Sequence, residues 1–162
     1  MKTIYSLKDI VQNAFEKSPY YRNLYEGCDL SNFESLPLIN QEDFWKANTY
    51  HDNKLLTGPI TNGVVFKSGG TTGNPKFSAF TKTEWETFTH EFGDGMAFNG
   101  LKEGDRVGNL FYSGDLYASF LFITKSLELC PVPCTHFPMT GAMEMSEVVK
   151  TIEEYNINVS EQ

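Results

Sequence analysis

The sequence predicts an α/β fold with helices packed on a mixed sheet. Apolar residues recur at helical spacing in several stretches, short β-type runs lie between them, and turns rich in glycine and proline separate the two kinds of segment. Alternation of this sort builds a sheet covered by helices.

From the N-terminus, Ile4, Leu7, Ile10, Val11, Ala14 and Phe15 are spaced as one face of a helix, with Ser6 available as its cap. Ser18-Pro19 ends that run, and Tyr20, Tyr21, Leu24 and Tyr25 form a second short amphipathic segment. Leu36-Pro37-Leu38 is extended, and Asn40 followed by Asp43 starts a helix carrying Phe44 and Trp45. Gly58-Pro59 and Asn62-Gly63 mark turns. Val64-Val65-Phe66 and residues 77–81 are strands on either side of a glycine-rich loop. Thr83, with Glu86 three residues later, predicts a capping box for a helix that runs to about Phe98. Its aromatic stripe of Trp85, Phe88 and Phe92 has the spacing of a core face. Gly100 and Gly104-Asp105 turn the chain into a strand over 106–112, followed by a helix over 116–129 and a brief strand over 132–134. A helix over 144–155 and the start of a strand at Ile157 complete the sequence, which contains no internal repeat. The last strand leaves the alternation unfinished, so the chain is expected to be truncated.

Composition excludes several functions. With 13 Lys and Arg against 21 Asp and Glu, the net charge of −8 opposes nonspecific binding of nucleic acid. The N-terminus lacks the apolar core of a signal peptide and no run reaches membrane-spanning length, so the expected location is the cytoplasm. Three cysteines without a secretion signal argue for reduced thiols.

The segment FKSGGTTGNPKF, residues 66–77, carries the clearest chemistry. Gly69, Gly70 and Gly73 allow backbone N–H groups to approach an anion, Ser68, Thr71 and Thr72 add hydroxyl donors, and Lys76 adds charge. It is not a Walker loop, because Asn74 and Pro75 separate Gly73 from Lys76 and a strand follows instead of a helix. The dinucleotide fingerprint is also missing. On residue types alone, a phosphate loop and a glycine-rich hairpin with solvated threonines both remain open.

The run from Ser68 to Lys76 resembles the phosphate-binding signature of the adenylate-forming superfamily. The segments SPYYRNLY, LPLINQEDF, FTKTEW and GLKEGDRVGNLFYSGDLYASFLF are similar to its phenylacetate-CoA ligase-like branch. The resemblance implies an incomplete N-terminal subdomain of an adenylate-forming enzyme. Residues 1–162 would be a single partial AMP-binding domain, with 1–60 a helical lead-in and 61–162 the phosphate loop and α/β layers. It also implies ATP with Mg2+, a small aryl or hydrophobic carboxylic acid, and coenzyme A as a candidate acceptor thiol. By position, Thr71, Thr72 and Lys76 would contact the β and γ phosphates, with Ser68, Gly69, Gly70 and Gly73 shaping the turn. Lys76 is the candidate catalytic residue through charge stabilisation. The family's adenine-contacting motif, ribose-binding acid, hinge and C-terminal lysine lie downstream of the matched region. The chain alone is therefore expected to be inactive, with its missing portion or another copy as partner. A noncatalytic remnant or interaction module retaining the loop, and an acyl-protein synthetase-like thioester former, are the alternatives.

Tyr112, Ser113 and Tyr117 follow a strand and precede a helix, where ligands bind in α/β folds. In similar ligases this region lines the carboxylate pocket, whereas the plainer reading has Ser113 or Asp115 capping the helix. Cys130, Cys134 and His136 are the one metal-like grouping, but without a fourth ligand they read as ordinary thiols and a surface histidine, so no metal site is assigned. His51 and His90 have no companion for a catalytic dyad.

Overall fold

A computed structural model describes residues 5–68 and 76–161. The chain divides into two compact units, the first ending at Thr61 and the second beginning at Asn62.

The first unit is helical. Helix α1 (Leu7–Lys17) opens with a capping box in which Ser6 Oγ accepts from Asp9 N–H at 3.1 Å and the Asp9 carboxylate receives the Ser6 N–H. Helix α2 (Pro19–Leu24) starts on Ser18, with Pro19 at the first position, where its missing N–H costs nothing. The buried Ser18 hydroxyl also donates to the Lys54 carbonyl at 2.8 Å, tying the start of α2 to the loop after α3 (Gln41–Ala47). Asn40 caps α3 by accepting from the N–H groups of Glu42 and Asp43 at 3.0 and 3.1 Å. An edge-to-face contact of Tyr20 with Phe44 at 5.9 Å knits α2 to α3, and Phe44 meets its neighbour Trp45 edge to face at 4.9 Å within α3.

The second unit holds the strands. β1 (Gly63–Lys67) and β2 (Phe77–Thr81) pair antiparallel, from Gly63 opposite Thr81 to Lys67 opposite Phe77. Helix α4 (Lys82–Phe98) follows directly, but its capping box is Thr81 with Glu84, two residues before the expected pair. The segment TKTEWE, Thr81 to Glu86, holds two overlapping boxes of the same spacing, and the earlier one wins because Thr81 ends the strand. A parallel sheet in the order β4-β3-β5 comprises β3 (Arg106–Asn109), β4 (Thr135–Pro138) and β5 (Val159–Glu161). Helix α5 (Ser119–Leu129) connects β3 to β4, and α6 (Met145–Tyr155) connects β4 to β5.

Adjacent residues of β3 point to opposite faces of that sheet, and two cores follow from it. Val107 packs with Ile123 and Leu127 of α5. On the other face Gly108 leaves room for Met139 and Ile157, which cluster with Val148 of α6. Removing such apolar area from water is the main favourable contribution to this unit. The aromatic stripe of α4 departs from a simple core face. Phe88 and Phe92 pack at tilted angles against Phe122 of α5 with centroids at 4.6 and 4.7 Å but remain 49% and 41% exposed, while Phe66 beneath Trp85 is buried.

The strand expected at 132–134 begins instead at Thr135. Pro131 and Pro133 lack N–H groups for a ladder, and Thr135 N–H is the first to pair, with the Asp105 carbonyl at 2.8 Å. The strand expected over 106–112 stops at Asn109, where a side chain takes over the pairing. Among the described residues no helix is long and apolar enough to cross a membrane.

Candidate functional site

The site is built on two supports in the second unit, the β1–β2 hairpin and the carboxyl edge of the parallel sheet. Beyond the last hairpin pair, Ser68 N–H donates to the Lys76 carbonyl at 2.9 Å, and Lys76 N–H donates to Ser68 Oγ at 3.3 Å. These bonds close the root of the glycine-rich loop, so Ser68 and Lys76 face each other across it. The other candidate phosphate contacts, Gly69, Gly70, Thr71, Thr72 and Gly73, lie outside the described residues.

At the second support, β3 ends on the fully buried Asn109. Its Nδ2 donates to the Phe120 carbonyl at 3.0 Å and to Thr124 Oγ1 at 3.3 Å, and its Oδ1 accepts from Phe111 N–H at 3.2 Å. The Asn109 carbonyl also accepts from Met139 and Thr140 N–H. One residue thus ties the end of the central strand to α5, to the segment after β4, and to the start of the 110–117 turn. Gly141 approaches the Leu110 carbonyl too closely for any side chain, and its N–H donates to the Phe111 carbonyl at 3.0 Å.

The turn itself carries Tyr112, Ser113 and Tyr117. The rings of Tyr112 and Tyr117 meet edge to face at 5.5 Å, whereas Ser113 is exposed beside them. Neither Ser113 nor Asp115 caps α5. The helix begins only at Ser119, its N-cap is Ala118, and no side chain caps it. Gly114, Asp115 and Leu116 take φ of 122°, 47° and 61°, which ends any helical path before that point. Asp115 is engaged instead by Lys67, Nζ to Oδ1 at 2.6 Å, and Lys67 N–H donates to the Leu116 carbonyl at 3.0 Å. The hairpin root and the strand-end turn are therefore joined. Asn109 and Lys67 were missed in the sequence reading. An asparagine closing an apolar strand was the available signal for the first, and nothing local marked the second.

The remaining candidates lie apart from these groups. His90 faces Asp94 one turn along α4, at 3.5 Å. Cys130 ends α5, Cys134 precedes β4, and His136 lies within it. Among the described residues no three His, Cys, Asp or Glu side chains are grouped to hold a metal ion. Burial, with the neighbouring Cys130 thiol second, pushes the Cys134 pKa up.

Burial also holds the His136 imidazole below its ordinary value of 6.5. The unfolded chain then takes the proton first. This group's contribution to stability is complete above about pH 6.5 and is lost as pH falls through the lower folded-state value. Replacing it, as in His136→Leu, is expected to flatten the decline of stability between about pH 7 and 5. Urea midpoints of the two proteins across that range measure it, and parallel curves would contradict the assignment.

With the geometry in place, the class is an α/β fold whose candidate ligand groups gather at the carboxyl edge of a parallel sheet. No protein-family model matches the chain. Phenylacetate-coenzyme A ligase of Thermus thermophilus is 27% identical to it over 149 residues, which cover 88% of this chain and 33% of that protein. The crystal structure of 2-hydroxyisobutyryl-CoA ligase in complex with 2-HIB-AMP and CoA in the thioesterification state superposes with a TM-score of 0.78 at 21% identity, covering 92% of this chain and 34% of that one. An open conformation of the same ligase gives a TM-score of 0.79 at 17% identity, over 95% of this chain and 35% of that one. The resemblance carried by the loop motif is thus met by both comparisons. The chain is similar to adenylate-forming CoA ligases, with a phenylacetate-CoA ligase among its relatives, and it spans about a third of their length.

Proposed function

We propose that this chain supplies the phosphate-holding part of an ATP-dependent carboxylate-adenylating ligase. The observation that carries this reading is the signature from Ser68 to Lys76, set on a hairpin root hydrogen-bonded shut and joined to the strand-end turn, in a chain whose fold matches about a third of a CoA ligase.

In such a reaction a carboxylate oxygen bonds to the α phosphorus of ATP, the bond from that phosphorus to the bridging oxygen breaks, and pyrophosphate leaves with the electron pair. A thiol such as coenzyme A then displaces AMP from the acyl group. Charge grows on the departing pyrophosphate as the bond breaks. Donors that tighten on that charge lower the barrier, whereas donors that grip ATP equally before and during the step do not. Thr71, Thr72 and Lys76 are the proposed donors, and Ser68 fixes the loop root that presents them. Tyr112, Ser113 and Tyr117 are the proposed acid-pocket residues, and the paired rings favour a flat aryl or other hydrophobic acid.

Mg2+ would travel with the nucleotide on its phosphate oxygens. The carboxylate tied to the loop root through Lys67, that of Asp115, is held in that ion pair, and no ligand for the ion is assigned among the described residues. No step is assigned to it.

Isothermal titration of the chain with MgATP and with pyrophosphate tests the proposal. Lys76→Ala is expected to weaken pyrophosphate binding at least about tenfold, the loss typical of a charge-assisted contact. The Thr71→Ala, Thr72→Ala double variant should weaken it as well. A folded wild-type chain that takes up neither ligand would overturn the reading and favour a module that keeps the motif without its chemistry.

A further inference from the structure

The turn after β3 is unusual in its backbone. Asp115 and Leu116, with φ of 47° and 61°, occupy the left-handed region, and leucine has no polar side chain to compensate for it. Such conformations persist where the surroundings hold them in place, and they concentrate at functional sites. Here the holding contacts are known. The Leu116 carbonyl accepts from Lys67 N–H at 3.0 Å, and Asp115 Oδ1 lies 2.6 Å from Lys67 Nζ, with the two side chains 32% and 62% exposed. Lys67 is the last residue of β1, and the next residue, Ser68, makes the two bonds to Lys76 that close the loop root. A continuous path therefore runs from the turn that carries Tyr112 and Tyr117 to the residues flanking the phosphate loop.

We propose that Asp115 is a positioning residue for the phosphate loop, acting through Lys67: the ion pair anchors the loop root to the strand-end turn, so that the acid-binding and phosphate-binding segments are held as one unit. The inference rests on the phosphate reading above. It differs sharply from the simpler idea that Lys67 is one more cation attracting the phosphates. If Lys67 only attracted charge, removing its carboxylate partner would free the ammonium and tighten binding. If the pair positions the loop, removing either partner loosens it.

Pyrophosphate titration of the full chain separates the two. Asp115→Asn and Lys67→Met are each expected to weaken binding roughly two- to fivefold, the range for a partly exposed ion pair. The double variant should be no worse than either single one, since both remove the same interaction. Lys67→Arg, which keeps the charge and the reach, should bind within about twofold of wild type. Tighter binding by Asp115→Asn, an affinity that neither substitution changes, or losses that simply add would each overturn the proposal. Should a neutral variant fail to fold, the charge exchange of Lys67→Glu with Asp115→Lys replaces it, and it must recover most of the affinity that Lys67→Glu alone loses. A wild-type chain that does not bind pyrophosphate overturns the phosphate reading and this inference together. Binding that Lys76→Ala abolishes and Asp115→Asn leaves untouched overturns this inference alone.

Discussion

Gly93→Ala is expected to destabilise the protein by about 1–3 kcal/mol, although alanine is the better helix former by about 1 kcal/mol. Gly93 is buried in α4, where a Cβ would stand 2.6 Å from the Ser126 carbonyl oxygen and 3.1 and 3.2 Å from Cys130 N and Cα of the α5 end. All three are backbone atoms, so no rotamer change relieves the clash and the helices must move apart. That movement would disturb the packing of Phe88 and Phe92 against Phe122. Gly95 on the same helix supplies the control, because a Cβ there meets nothing within 4 Å. Gly95→Ala should therefore gain up to about 1 kcal/mol. Urea denaturation of the two variants should give midpoints displaced in opposite directions from wild type. Midpoints displaced the same way would contradict the packing of α4 on α5 described above.

The second large effect is expected at Asn109. Asn109→Ala removes two donated bonds and one accepted bond from a fully buried position, leaving the Phe111 N–H without that acceptor. The loss should come to about 2–4 kcal/mol, since an unsatisfied buried group costs more than the bond was worth. Asn109→Asp distinguishes the hydrogen bonds from mere volume. It keeps the shape and the acceptor for Phe111 but sets a carboxylate oxygen against the Phe120 carbonyl, where the amide had donated. At neutral pH it should be about as damaging as alanine, and lowering the pH should recover part of the loss as the carboxyl takes a proton and can donate again. Thermal unfolding at several pH values measures this. An Asn109→Asp protein as stable as wild type at neutral pH would show that the three bonds contribute little.

These two positions also show what the sequence disclosed and what it withheld. Helices α1, α3 and α6 were legible because a local pattern sets them: apolar spacing in the first and last, and N-terminal signals at Ser6 for α1 and Asn40 for α3. The strands on either side of the loop were legible for the same reason, and the motif between them, with the segments around it, carried the resemblance to adenylate-forming ligases. The rest depends on contacts between residues distant in the chain. Nothing near Asp115 reveals that Lys67, in a different strand, will take its carboxylate, so a capping role was the natural local inference and it was mistaken. The early end of β3 has the same origin, because the Asn109 side chain competes for the Phe111 N–H that a longer strand would have used. The requirement for glycine at position 93 likewise comes from α5 packed against it, which no local pattern in α4 reveals.

The central claim is that the segment from Ser68 to Lys76 holds phosphate, and the most direct measurement is a pyrophosphate titration of the 15N-labelled chain followed through its backbone amides. The account predicts shifts concentrated at residues 68–76, extending to Lys67 and Leu116 through the hydrogen bond between them. Amides around the roughly 570 Å³ apolar cavity lined by Phe92, Met96 and Leu127 should stay in place. Shifts centred on that cavity, or a spectrum that pyrophosphate leaves unchanged in the folded protein, would contradict it.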